Sequence, residues 1–296
     1  MYDVIIIGMG IGGITAGIYG KRAGLNVLMF EKSAPGGMLQ KIDKIQNYPG
    51  FSEISGPDLA LNLFNQVKKV GVPFKFEEVI DVEITEEYKK VITKNGTYEA
   101  KNIIVATGRT PKYLGLDNEK DYLGRGLSTC ASCDGNFYKG EDVAVVGSGN
   151  SALQESLYLA NIVNKVYLLH RGVNFKGDDA LVERVRNTKN IEIVDGVNIK
   201  KINEVEGKIE SVTLDNEKTI NVKGVFIYIG YKPDTEMFKK FDITNINGDI
   251  IVSENFETEI DGLYAIGDCA KKGVYQLVTA ASDGCIAVSD IEKIRN

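Results

Sequence analysis

The sequence predicts an α/β protein made of two Rossmann-like, three-layer nucleotide-binding domains, the second inserted into the first. Three observations carry this prediction. Residues 3–8 (DVIIIG) and 142–147 (DVAVVG) are short apolar runs that end in glycine. Each runs into a dinucleotide fingerprint, Gly8-x-Gly10-x-x-Gly13 in one case and Gly147-x-Gly149-x-x-Ala152 in the other. The two halves also end alike, because residues 101–111 (KNIIVATGRTP) and 223–233 (KGVFIYIGYKP) align at a lysine, a glycine and a proline. A lone fingerprint is weak evidence, but two of them, each between a strand and a helix, are not.

The elements follow in order. After the first strand and its glycines, residues 14–24 carry apolar side chains at helical spacing, and residues 26–32 (NVLMFEK) read as the second strand. Alternating apolar and polar residues around Asn95-Gly96 predict a small antiparallel meander, closed by the strand that ends in ATG at 106–108. The second half repeats the plan. A strand at 142–147, a helix at 151–162, a strand at 165–171 and a meander around Asp215-Asn216 precede the closing strand. Residues 261–270 (DGLYAIGDCA) form one more strand, followed by a helical pattern from Tyr275 onward with no fingerprint of its own. This tail completes the first domain. The expected division is 1–111 with 242–296 for the discontinuous domain and 112–241 for the inserted one.

Composition narrows the function. At 43% hydrophobic and 26% charged, the chain reads as a globular protein. A net charge of −6 argues against nucleic acid or an anionic membrane as the main partner. The apolar start has Asp3 where a leader would be basic, and Lys21 and Arg22 come after it, so a cytoplasmic protein is expected. The four cysteines, Cys130, Cys133, Cys269 and Cys285, are too few for a disulfide scaffold. The single histidine, His170, comes with no nucleophile-elbow sequence, which argues against a Ser-His-Asp hydrolase.

In this fold a pyrophosphate rests on the first helix's N-terminus, and the residue at the end of the second strand selects the ribose. At the same offset from the first glycine of each fingerprint stand Glu31 and His170. A carboxylate at 31 accepts from ribose hydroxyls. At the second site a neutral ring and the cation Arg171 replace the acid, which suits a 2′-phosphate and hence NADPH; Asn150 and Ser151 complete that fingerprint. Three features favour FAD at the first site. The loop SAPGGM follows Glu31, Asp268 offers a carboxylate to a ribose or ribitol hydroxyl, and a helix N-terminus near Tyr275 or Gln276 suits the charge on a reduced flavin.

The stretch 128–137 (STCASCDGNF) holds a CxxC followed by an acid. Zinc would need four ligands, and Cys269, Cys285 and His170 form no second knuckle. A redox dithiol fits better: Ser128 or Thr129 is placed to cap a short turn with Cys130 near its N-terminus, and Asp134 can move a proton. In combination CASCDG, both fingerprints, NYPG at 47–50, ATG and Gly267-Asp268 resemble the low-molecular-weight thioredoxin reductases over nearly the whole chain. The resemblance implies FAD on Gly8, Gly10, Gly13, Glu31, Gly36, Gly37, Asn47, Asp268 and Gln276. It implies NADPH on Gly147, Gly149, Asn150, Ser151, Arg171 and Lys176, and a Cys130–Cys133 redox disulfide with Asp134 as its acid. It also implies a homodimer, and thioredoxin docking near Arg125 and Phe137.

Departures from the pattern fall mainly at the donor site. Gly172 stands where the family usually has a second arginine, Lys176 replaces a later arginine, and Tyr275 replaces a basic residue; Met38 and Asn136 are further changes. The dithiol and the second fingerprint share the inserted domain, so both must reach one flavin by turns, and a rotation about the two chain crossings is expected. The rival readings are another donor such as NADH or ferredoxin, a dithiol oxidase, and a non-catalytic flavin sensor.

Overall fold

The computed structural model describes every residue except Asp43, Glu86, Asn118 and Asn296, and the side chain of Arg295 is likewise left aside. The chain divides into two compact units, Met1–Thr110 with Lys232–Asn296, and Pro111–Tyr231.

The first unit opens with β1 (Tyr2–Ile7), α1 (Ile11–Arg22) and β2 (Val27–Glu31). α2 (Gly56–Val70) follows, its first turn capped by Ser55, whose Oγ accepts from Asp58 N at 3.1 Å, and its end turned by Gly71. Then come β3 (Phe74–Phe76), β4 (Val79–Ile84), β5 (Lys89–Thr93) and β6 (Gly96–Val105). β1 lies between β2 and β6, parallel to both, with Ile6 opposite Met29 and Ile104. Such a strand is covered on both faces, which is why it reads as an unbroken apolar run. Val4 and Ile6 face α1 and α2, whereas Ile5 and Ile7 face the other core. The first half of β6 pairs antiparallel with β5, and β5 with β4, which is the expected meander.

Both crossings between the units run through short strands, β7 (Arg109–Pro111) on the way out and a counterpart on the return. The second unit contains β8 (Leu127–Ser128), the single turn α3 (Ala131–Asp134), β9 (Asp142–Val146), α4 (Asn150–Ala160), β10 (Lys165–His170), α5 (Asp179–Arg186) and β11 (Ile191–Asp195). A three-stranded antiparallel sheet of β12 (Ile199–Val205), β13 (Lys208–Leu214) and β14 (Thr219–Asn221) follows, then β15 (Gly224–Ile227) and the return strand β16 (Tyr231–Pro233). The parallel sheet has the order β11-β10-β9-β15-β8. Val143 and Val145 face α4 and α5, while Ala144 and Val146 face the meander, so this unit too has three layers.

The return comes earlier than the 241/242 boundary expected from sequence. Phe238, in a short turn at Glu236–Phe241, is fully buried with Ile5, Val82 and Ile250 in the first unit's core. No local pattern marks this, because the turn is held by strands far away in the chain. β17 (Leu263–Ala265) then adds to the free side of β6, with Leu263 opposite Ile103, and α6 (Leu277–Arg295) packs on α1. A Cβ at Gly284 would overlap the Gly12 carbonyl oxygen, so only glycine allows α6 this close. Among the described residues no helix is long and apolar enough to cross a membrane.

Phe238→Ala should therefore destabilise the first unit. A loss of about 3–5 kcal/mol in unfolding free energy is expected, read by urea denaturation. An unchanged midpoint would place this turn outside the core.

Candidate active site

The first fingerprint is built by contact between backbones. A Cβ at Gly13 would overlap the Gly8 carbonyl oxygen, and one at Gly8 the Ala106 carbonyl oxygen. These glycines let β1, α1 and the end of β6 meet at one point. Gly10 is different: a Cβ there would meet no atom within 4 Å, and α1 has no side-chain cap. The helix thus presents uncapped N–H groups to open space, which suits a phosphate.

The other first-site candidates gather round this turn. Glu31, at the buried end of β2, accepts from Met9 N through Oε2 and from Ser33 N through Oε1, both at 2.9 Å. Gly36 N donates to the Met9 carbonyl at 2.7 Å, and a Cβ on Gly37 would lie 3.7 Å from Gly10 Cα. Asn47 Nδ2 donates to Gln276 Oε1 at 3.2 Å, just before α6 begins at Leu277. Asp268 sits in the turn Gly267–Cys269 between β17 and α6. Burial pushes its carboxyl up, against the pull of Lys272 and Arg109. A half-buried carboxylate in that state is eased by hydroxyl donors of the kind a ribitol chain carries.

Several supporting residues have no signature in sequence. Arg109 donates through Nη2 to Asp249 Oδ1 at 2.7 Å and through Nε to the Asp268 carbonyl at 3.0 Å, with its guanidinium over the Tyr275 ring at 4.3 Å. Lys272 and Asp283 form a buried pair at 2.7 Å, and Asp283 also accepts from Gly267 N at 2.9 Å. Among the described residues the buried Thr107 hydroxyl meets no hydrogen-bond partner of good geometry, which is the kind of orphan a bound cofactor would satisfy. Cys269 is fully buried, and burial pushes its thiol up, so it behaves as a small apolar residue.

The second fingerprint repeats the first. A Cβ at Gly147 would overlap the Tyr228 carbonyl oxygen, and one at Gly149 would meet nothing within 4 Å. α4 also begins without a side-chain cap. The loop after β10 folds back on this turn: Lys176 N donates to the Ser148 carbonyl at 2.8 Å. Asn150 and Asp178 bond to each other twice, at 2.7 and 3.0 Å. Arg171, Lys176 and Ser151 are exposed.

Cys130 and Cys133 form a disulfide, with their Cα atoms 5.3 Å apart. The turn differs from the expected one, since Cys130 itself is the N-cap and its sulfur accepts from Cys133 N at 3.3 Å. Ser128 acts from one step earlier. Its hydroxyl accepts from Cys130 N at 3.0 Å and donates to Asp134 Oδ2 at 2.6 Å, tying the acid to the disulfide's own backbone. Tyr228, which burial keeps as the neutral phenol, accepts from Ala131 N at 2.7 Å. Cys130 is buried and Cys133 exposed.

Two uncapped nucleotide turns and an acid-tethered disulfide in one chain point to electron transfer from a dinucleotide to a disulfide. Residues 2–284 match the family of pyridine nucleotide-disulphide oxidoreductases. The chain is 38% identical over 297 residues to the thioredoxin reductase of Bacillus subtilis (strain 168), covering 99% of this chain and 94% of that one. The chain belongs to the low-molecular-weight thioredoxin reductases of this family. Solved structures agree: the thioredoxin reductase of Lactococcus lactis superposes with a TM-score of 0.88 at 33% identity over 99% of this chain and 98% of that one. That of T. acidophilum gives 0.85 at 29% identity, over 99% and 98%. The chain is therefore an oxidoreductase with a redox disulfide, and its family implies FAD and a pyridine nucleotide.

The reductase's first turn leaves no room for a side chain at Gly13. Gly13→Ala is expected to yield protein with less than about half the bound flavin of wild type, because backbone must move to admit the methyl group. The ratio of flavin to protein absorbance measures this; full flavin content would refute the close-approach argument.

Proposed function

We propose that this reductase passes electrons from NADPH to the Cys130–Cys133 disulfide and on to thioredoxin or a similar protein. The observation that carries the reading is the Ser128 bridge, which holds the Asp134 carboxyl against the cysteine turn. In this assignment the first site holds FAD on Gly8, Gly10, Gly13, Glu31, Gly36, Gly37, Asn47, Asp268 and Gln276. The second holds NADPH on Gly147, Gly149, Asn150 and Ser151, with Arg171 and Lys176 as cations for the 2′-phosphate. FAD, when bound, relays an electron pair from the nicotinamide to the disulfide.

The chain's own residues handle protons and orientation. Reducing the disulfide breaks one S–S bond with two electrons and takes up two protons. Asp134 is tethered where it can hold or deliver one of them. Tyr228 and Ser128 fix the turn through Ala131 N and Cys130 N, so both sulfurs keep their orientation as the bond opens and closes. Exposed Cys133 is reachable from solvent, and the exposed Arg125 and the 81% exposed Phe137 on the same unit support thioredoxin docking on this unit. Thioredoxin's couple lies near about −270 mV, so a dithiol poised close to it exchanges in either direction. The inserted unit carries both the disulfide and the second fingerprint, and the proposed cycle has it turn about the two crossings to present them alternately. A cytoplasmic homodimer completes the proposal.

Anaerobic addition of NADPH is expected to bleach the flavin absorbance of the purified protein. Bleaching by reduced ferredoxin, with none by NADPH or NADH, would overturn the donor assignment. Cys133→Ser should still bleach but lose thioredoxin reduction. Ser128→Ala should bleach normally and turn over thioredoxin about tenfold more slowly, through a loosened Asp134; wild-type turnover would remove Asp134's tether from the mechanism.

A further inference from the structure

The second nucleotide site holds a carboxylate that the fingerprint spacing does not show. His170 ends β10 and Asp195 ends β11, and the two are direct partners in the parallel register. His170 Nε2 and Asp195 Oδ1 are 2.5 Å apart. The two residues differ sharply in exposure: the histidine side chain is 2% exposed and the aspartate 49%. Phe175 covers the imidazole, with ring centroids 4.4 Å apart. With Nε2 tied to Asp195, Nδ1 remains a buried atom with no hydrogen-bond partner among the described residues. The β11 end is bound to the same loop by its backbone, through Gly196 N to the Gly172 carbonyl at 3.0 Å and Val197 N to the His170 carbonyl at 3.2 Å.

In a Rossmann unit, the end of the second strand reads the ribose: an acid there accepts from the 2′-hydroxyl of NAD, and an arginine accommodates the 2′-phosphate of NADP. In this unit that strand is β10, and it ends in His170. The neighbouring strand returns an acid to the same edge. The cations of the loop, Arg171 and Lys176, are exposed, whereas two carboxylates beside them are fixed, Asp195 by His170 and Asp178 by Asn150. Gly172 adds no charge although it has room, because a Cβ there would meet nothing closer than 3.7 Å.

We propose that Asp195, held by His170 at the shared edge of β10 and β11, is a specificity-determining residue that opposes the 2′-phosphate and lets the site take NADH as well as NADPH. This rests on the pyridine-nucleotide reading of the second fingerprint given above. A carboxylate at this edge favours a ribose hydroxyl, and its negative charge offsets the pull of Arg171 and Lys176 on a phosphate.

The test is calorimetric binding of NADP+ and NAD+ to the oxidised holoenzyme, which needs no turnover. The wild type is expected to favour NADP+ by no more than about tenfold. Asp195→Asn should widen that preference by about fivefold, the scale of one partly exposed charge. Asp195→Ser should act in the same direction, and Gly172→Arg should widen the preference by adding a cation. Flavin content and circular dichroism check that each variant is folded; if none folds, the wild-type ratio decides. A wild-type preference above about a hundredfold, or an unchanged ratio in the folded Asp195 variants, overturns the proposal and leaves the reductase reading intact. Failure of both nucleotides to bind wild type overturns the donor reading and this proposal together.

Discussion

A helix N-terminus left without a side-chain cap, set by glycines against the end of a buried parallel strand, is the constraint on which the molecule depends. Four backbone N–H groups at a helix start lack partners within the helix, and a protein normally supplies a capping side chain. Both α1 and α4 start at a glycine with no such cap, and a Cβ on either glycine would meet nothing within 4 Å. A phosphate-bearing ligand would resolve that deficit. The fold is arranged to keep these two turns in place. β1 and β9 are buried on both faces, Gly13 and Gly147 admit neighbouring backbone, and α6 presses on α1 through Gly284.

The disulfide turn follows the same logic on a smaller scale. α3 is one turn long and could not persist alone. It is fixed from outside by the Tyr228 hydroxyl after β15, by Ser128 at the end of β8, and by Gly135, where an added Cβ would lie 3.0 Å from Leu159 of α4. The reactive bond is thus held by the parallel sheet and α4 of its own unit. The acid beside it is oriented by a serine rather than by the cysteines.

Charge balance sets the remaining features of the first site. Asp268 is half-buried near Arg109 and Lys272, each paired with its own acid, Asp249 and Asp283. Removing one partner from such a pair leaves a buried charge uncompensated, at a cost of about 3–5 kcal/mol. These pairs therefore bind the turn after β17 to the end of β6 and the start of α6, which brings Asp268 and Gln276 into one unit with Gly8 and Glu31.

The sequence by itself determined what depends on short-range pattern. Alternation and helical spacing disclosed the strands and helices, two fingerprints disclosed two nucleotide turns, and CxxC with a following acid disclosed the redox centre. Each of these signals is read within a few residues, where backbone geometry ties spacing to function. Tertiary structure alone decided the rest. Phe238 belongs to the first unit because distant strands bury it. Arg109 meets Asp249, Tyr228 meets Ala131, and Asp195 returns to the His170 edge through contacts between residues remote in the chain. Such contacts have no characteristic spacing, because they are set by how layers stack rather than by how neighbouring residues follow one another.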